Sequence, residues 1–411
     1  MEENLPEPAI VNKASGWLKP GVVGIGAASF FSDVGHEIPT ALLPEFLSKT
    51  LGAPASILGL IEGVSDGLAG AAKLAGGALA DDPHRRRTIA VGGYATTAIL
   101  ISLVGAARSA LEVGVLRAGA WAARGLRGPA RNALLADMVP PQSYGRAYGF
   151  ERAMDNLGAI VGPLLAIVLV EVMSVRAAIQ VAIVPGLIAA LAILFAVRRV
   201  PRSGTREHQP IRIKIRPVLR GRLGKLMVGI AAFEFGNVSA TLLILRATEL
   251  LRPRHGAENA AQLAIGLYVA YNVAATLASV PAGQVGDRRG TGGVLSAGVG
   301  LFAVAYLGFA VGGSSVASLV PWFLAAGIGI GCVETSEHSA VAGLAPEEIR
   351  SSAFGVLATV QSLGNFVASG LVGLLWTAIS PRAAFLYVAV CMAISLAAIR
   401  TTSKQDGAPK F

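Results

Sequence analysis

The chain of 411 residues is 53% hydrophobic and only 15% charged, with a mean hydropathy of +0.60. Soluble domains carry about a quarter charged residues, so this composition cannot clothe a water-facing globule, and a soluble enzyme is excluded. The net charge of +10 would suggest nucleic acid in a soluble protein, but its placement along the chain assigns it to membrane topology.

A bilayer-spanning helix takes about 20 mainly apolar residues. Hydropathy predicts helices over 21–47, 55–80, 88–107, 111–138, 146–172 and 176–198, then over 223–251, 260–285, 291–313, 317–344, 351–378 and 382–400. Residues 1–20 hold Glu2, Glu3 and Glu7 but neither a basic n-region nor a small-residue cleavage site, so they read as a retained segment rather than a signal peptide. The predicted organisation is a terminal segment over 1–20, a six-helix bundle over 21–198, a linker over 199–222, a second six-helix bundle over 223–400 and a tail over 401–411. Cys332 and Cys391 lie inside apolar runs with no disulfide or metal spacing, and no cofactor is expected.

Orientation follows from the basic residues. With both termini cytoplasmic, the inner segments hold 22 Lys and Arg, ten of them between Arg198 and Lys225, and the outer loops hold six. That asymmetry explains the net charge without nucleic acid and predicts a multi-pass protein of the cell membrane. The stretch Ile211-Arg-Ile-Lys-Ile-Arg216 reads as a solvated loop, with contact to anionic lipid as the other reading.

The two halves repeat. At an offset of 206, Gly77 meets Gly283, Asp81 meets Asp287, Gly125 meets Gly331, Gly149 meets Gly355 and Gly158 meets Gly364. At 204, Phe31-Ser-Asp-Val34 meets Phe235-Gly-Asn-Val238. Duplicated six-helix units are what a two-bundle transporter requires, with its site at the midplane between them.

Short motifs sharpen this. Gly77-Ala-Leu-Ala-Asp81 leads into Arg85-Arg86-Arg87, and Gly283-Gln-Val-Gly-Asp287 leads into Arg288-Arg289. On the fifth helix Gly149 and Gly158 are followed by Gly162-Pro163. These patterns resemble the loop and antiporter motifs of the major facilitator superfamily, and the resemblance covers nearly the whole chain. It implies an all-α membrane fold of two six-helix bundles, a monomer, and a cytoplasmic gate at Gly77, Asp81, Arg85, Arg86, Gly283, Asp287 and Arg288. Asp82 and His84 depart from the family pattern and put the first copy of that gate in doubt. The resemblance also implies that the fifth-helix glycines let this helix approach its partner across the bundle interface. Their absence as Gly-Pro from the second copy, which has Ala368-Ser369, favours export.

Helix 4 departs from the family, with Trp121 where an arginine is usual and with Arg117, Arg124, Arg127 and Arg131 on one face. Such a face cannot look at lipid. The candidate counter-charges are Asp33 and Glu37 with His36 on helix 1, Glu62 and Asp66 on helix 2, and Glu151 and Asp155 on helix 5, from which Arg152 is expected to turn away. Buried carboxylates can bind and release protons. Asp33, Glu37, Glu62 and Asp66 are therefore the predicted proton-coupling or substrate-cation group, with His36 as a relay and Arg124 beside them. Arg127, Arg131, Glu151 and Asp155 read as a static charge lattice. In the second bundle Glu234 is a cavity residue, and Asn237 and Asn272, which match Asp33 and Asp66, keep polarity without charge. That points to the first bundle as the coupling half. Glu334 and His338, at i and i+4, are weak metal-ligand candidates.

These readings predict a secondary transporter, not an enzyme, that exchanges protons for an exported small molecule. A divalent-metal exporter, an importer of an organic anion, and a membrane-embedded receptor or enzyme are the alternatives.

Overall fold

The computed structural model describes residues 16–199 and 211–404. The calls on the first fifteen residues, on 200–210 and on the tail beyond 404 lie outside the described residues. The described chain is helical, without a strand. Its helices are α1 (Pro20–Glu45), α2 (Ala55–Ala80), α3 (Pro83–Leu103), α4 (Ala110–Met138), α5 (Tyr144–Val172), α6 (Val175–Val181), α7 (Ile183–Arg198), α8 (Ile215–Val218), α9 (Gly221–Glu234), α10 (Ala240–His255), α11 (Ala257–Arg289), α12 (Thr291–Val311), α13 (Val316–Leu344), α14 (Arg350–Ala378) and α15 (Pro381–Lys404).

Among the described residues eight spans are long and apolar enough to cross a membrane: α3, α5, the α6–α7 pair, α11, α12, α13, α14 and α15. The spans built by α1, α2, α4 and the α9–α10 pair complete the two bundles. Large apolar side chains such as Leu111, Val172, Leu277 and Leu374 are exposed around the outside, as a lipid-facing belt requires.

Caps explain several helix starts. Asp82, which departs from the family pattern, accepts the His84 N–H at 2.9 Å and sets Pro83 at the first position of α3. Ser109 accepts the Glu112 N–H to start α4, and Ser315 and Ser318 close a reciprocal cap on α13. Hydropathy predicts one helix over 223–251, whereas the structure breaks it between Glu234 and Ala240. Gly236-Asn237 supplies residues that favour a turn, and side chains take up the freed backbone: Asn365 donates to the Asn237 carbonyl and Ser369 accepts the Ser239 N–H, both at 2.9 Å.

The repeat in sequence is a repeat in contacts. A side chain on Gly125 would meet the Ala69 carbonyl at 2.6 Å, and one on Gly331 would meet that of Ala275 at 2.6 Å, 206 residues on. Between bundles, Gly149 of α5 packs on the Ser279 backbone of α11, and Gly355 of α14 packs on the Lys73 backbone of α2. Gly158 and Gly162 instead pack on α1 within their own bundle, against Asp33 and Glu37, so only part of the glycine motif serves the bundle interface.

These contacts close one end of the molecule. There α2 and α14 touch backbone to backbone at Gly77 and Gly355. Towards the other end they part, and Gly63, Gly67 and Gly370 line a cavity between the bundles.

Candidate functional site

The cavity has a volume of about 1360 Å³ and is walled by α1, α2, α4 and α5 on one side and by α9, the α9–α10 break, α13 and α14 on the other. Its lining includes Asp33, His36, Asp66, Lys73, Trp121, Arg124, Arg127, Arg131, Arg152 and Asp155 from the first bundle. From the second it includes Glu234, Asn237, Glu334, His338 and Asn365.

The α4 side chains are held by a ladder of partners. Arg117 Nη2 meets Glu62 Oε1 at 2.7 Å, with its guanidinium 4.1 Å from the centre of the Trp121 ring. Trp121 Nε1–H donates to Asp66 Oδ1 at 2.8 Å, and its ring lies 4.1 Å from that of His36. Arg124 Nη2 meets Asp33 Oδ1 at 2.8 Å. Arg127 donates to Ser32 Oγ at 2.6 Å and stacks on Tyr94. Arg131 donates to Ser29 Oγ and pairs with Glu151 at 2.8 Å. In hydrocarbon each of these charges would cost several kcal/mol alone, and pairing offsets that cost, although Arg117 Nε, Arg124 Nη1 and Arg127 Nη1 are buried without a hydrogen-bond partner.

Arg152 does not turn away. Its Nε and Nη2 make a fork on Glu151 at 2.7 and 2.8 Å, and its Nη1 reaches Asp155 at 3.3 Å. The wheel angle that separates it from Glu151 is overcome by the length of its side chain. Glu151 is fully buried and accepts from Ser29, Arg131 and Arg152, so three donors converge on one carboxylate.

The remaining sequence candidates fall in different places. His36 is buried on the cavity wall, with Nδ1 unpartnered. Glu37 lies under Gly162 on the α1–α5 contact and Glu62 lies with Arg117, while Asn272 donates to the Tyr268 carbonyl. Glu234 Oε2 accepts from Asn237 Nδ2 at 2.9 Å. His338 Nδ1 sits 2.8 Å from the Glu334 carbonyl oxygen, so the ring addresses the backbone one turn back. Among the described residues no three His, Cys, Asp or Glu side chains gather as a metal site. Tyr94, Arg117 and Lys73 join the network without having been site candidates. Lys73 Nζ donates to Ser362 Oγ across the bundle interface.

Both copies of the loop motif are engaged at the closed end. Asp287 accepts from the N–H groups of Gly145 (2.7 Å) and Arg146 (3.1 Å) at the start of α5, and from Arg146 Nε at 2.7 Å. Asp81 accepts from the Ser352 N–H at 2.9 Å and Ser352 Oγ at 2.6 Å near the start of α14. A carboxylate at a helix N-terminus meets unsatisfied N–H groups and the positive end of the helix dipole. Lys214 from the linker completes the second latch, 3.2 Å from Asp81 Oδ2 and donating to the Glu348 carbonyl. Arg86 pairs with Asp137, as does Arg350, and Arg85 reaches Asp82.

Comparison with known proteins matches this geometry. A model of the Major Facilitator Superfamily matches residues 25–251 and 226–410. An uncharacterised MFS-type transporter of Methanocaldococcus jannaschii is 29% identical over 381 residues, covering 92% of this chain and 94% of that one. An uncharacterised protein of Mycobacterium tuberculosis is 27% identical over 374 residues, 86% of each. Among solved structures, a bacterial homologue of the iron transporter ferroportin in an outward-facing state superposes with a TM-score of 0.77 at 16% identity, over 94% of this chain and 100% of that one. The human organic anion transporter MFSD10 (TETRAN) gives 0.69 at 16% identity, over 92% and 99%. At such identity the likeness is one of fold.

Proposed function

The chain belongs to the Major Facilitator Superfamily and is a membrane transporter, and from that premise we propose that it is a proton-coupled antiporter exporting a small molecule by alternating access. In this reading the latch end faces the cytoplasm, as the basic loops require, the protein acts as a monomer in the cell membrane, and the cavity opens outward. The observation that carries it is the ion pair of Asp33 and Arg124 at 2.8 Å on the cavity wall.

A proton arriving from outside would neutralise Asp33, break that pair and leave the Arg124 charge facing the cavity. The added positive charge disfavours a bound cation and favours its release outward. The bundles would then rock, expose the wall to the cytoplasm, lose the proton there and bind substrate again. Asp66 would report on the same step through Trp121, which links it to His36 and Arg117. Import of an organic anion has less support, since Arg124, Arg131 and Arg152 already hold carboxylates.

The test uses purified protein in liposomes with an imposed pH gradient. Asp33→Asn should abolish gradient-driven flux and leave substrate exchange without a gradient partly intact. Full gradient-driven flux in both Asp33→Asn and Asp66→Asn would remove these residues from the coupling step.

A further inference from the structure

The bundles repeat in backbone but not in charge. Since Gly331 packs as Gly125 does, α13 is the counterpart of α4 in a fixed register. In that register Arg124, Arg127 and Arg131 correspond to Ile330, Val333 and Glu337, and Asp155 corresponds to Gln361. The Asp33–Arg124 pair of the first bundle thus has the neutral Asn237 and the apolar, buried Ile330 as its equivalents in the second.

Carboxylates are nevertheless present there. Glu234, the last residue of α9, is only 2% exposed yet lines the cavity, and Glu334 lines the same wall. Glu337 is fully buried behind them; its Oε2 accepts from Gln361 Nε2 at 2.9 Å and its Oε1 has no partner. Among the described residues no ion pair reaches any of the three. The resident cations act only at longer range: Lys73, which donates one of its N–H groups to Ser362, acts on Glu234, and Arg152 acts on Glu334. A buried carboxylate left so is costly until a positive charge joins it.

The neighbouring amides are oriented to receive one. Asn237 uses its Nδ2 on Glu234, and Asn365 uses its Nδ2 on the Asn237 carbonyl. Each nitrogen thus has one of its two N–H groups engaged within the protein, and the two amide oxygens are acceptors on residues that line the same cavity as Glu234. An amide oxygen and a carboxylate both accept from the N–H donors of a primary ammonium group. The break between α9 and α10 brings Asn237 out of helical register and so makes the arrangement possible.

We propose that Glu234, Asn237 and Asn365 form the seat for a protonated amine, and that the transported molecule carries such a group. The second bundle carries no arginine at the Arg124 position, and the substrate's ammonium supplies the positive charge that Glu234 lacks. This rests on the chain being a transporter with a central cavity, and is independent of the direction of transport and of proton coupling.

Binding to the purified full chain can be measured by calorimetry at one fixed pH with three probes of one shape: tyramine (cationic), tyrosol (neutral) and 4-hydroxyphenylacetate (anionic). The wild-type protein should bind tyramine about 10-fold or more tightly than the other two, the expected worth of a charged hydrogen-bonded contact. Glu234→Gln should abolish that preference, Glu234→Asp should keep part of it, and Asn365→Leu should weaken it. A thermal melt of each variant identifies any that fails to fold, and Glu234→Asp serves as the folded reference. Absence of a preference for tyramine in the wild type, or its persistence in folded Glu234→Gln, would overturn the proposal. So would its loss in Asp33→Asn alone, which would move the seat to the first bundle. Failure of gradient-driven flux, by contrast, would strike only the antiport reading and leave this binding result standing.

Discussion

The indole of Trp121 donates to Asp66 at 2.8 Å while its ring lies against His36 and under the guanidinium of Arg117. One side chain thus ties α4 to α1 and α2 at the cavity wall, in the position where the superfamily usually has an arginine. Trp121→Phe keeps the ring contacts and removes the N–H. A hydrogen bond to a charged acceptor contributes about 1.5–3 kcal/mol, so Trp121→Phe should reduce transport and lower the melting temperature by a few degrees. Trp121→Leu, which also loses the ring contacts, should lower both further. Equal transport by wild type and Trp121→Phe would deny the indole N–H a part in the cycle.

The two latches should act together. Asp81→Asn and Asp287→Asn each leave one carboxylate in place between the bundles. Spin labels at Gln142 and Gln284, both exposed at the closed end, should show a longer-distance population in each single variant. That population should become dominant in the double variant, with transport near background. Unchanged distances in the double variant would mean that other contacts hold this end shut.

Close backbone approach gives a sharper contrast. A Cβ on Gly283 would overlap the Gly145 carbonyl, whereas one on Gly343 has nothing within 4 Å. Overpacking costs about 1–3 kcal/mol. Gly283→Ala should therefore destabilise the closed end and reduce transport, and Gly343→Ala should leave transport and melting temperature as in the wild type. Labelling at Gln142 and Gln284 separates loss of closure from loss of fold.

Glu151 joins Ser29 of α1, Arg131 of α4 and Arg152 of its own helix α5. Removing one partner from a buried pair costs about 3–5 kcal/mol, and Glu151 serves both Arg131 and Arg152. Glu151→Gln should lower the melting temperature of the detergent-solubilised protein by several degrees, with little dependence on salt because the site is buried. A double-mutant cycle with Arg131→Gln should show strong coupling. An additive cycle would mean that the two residues do not stabilise one another.

Sequence reasoning reached the repeat because helix packing at glycine is a local, position-specific demand: where Gly125 must meet Ala69, Gly331 must meet Ala275. It reached the charged lattice because arginines on one helix face have to be answered within the bundle. Three things escaped it. The break after Glu234 lies at a short polar dip, Glu234 to Ser239, that a window the length of a membrane span averages away. Arg152 was placed by its helical angle, which does not count the reach of a long side chain. The inverted charge of the second bundle was visible as Glu337 opposite Arg131 in the repeat, but its meaning needed the hydrogen bonds of Asn237 and Asn365.

One asymmetry at the closed end has a mechanical outcome. Asp287 meets a cation, Arg146, that is carried on a bundle helix, whereas Asp81 meets Lys214, carried on the stretch of chain that tethers the bundles. Opening this end must therefore part Lys214 from Asp81 as well as Asp81 from α14. Loss of the Lys214 charge therefore loosens one corner of the clasp and spares the other, where Arg146 answers Asp287.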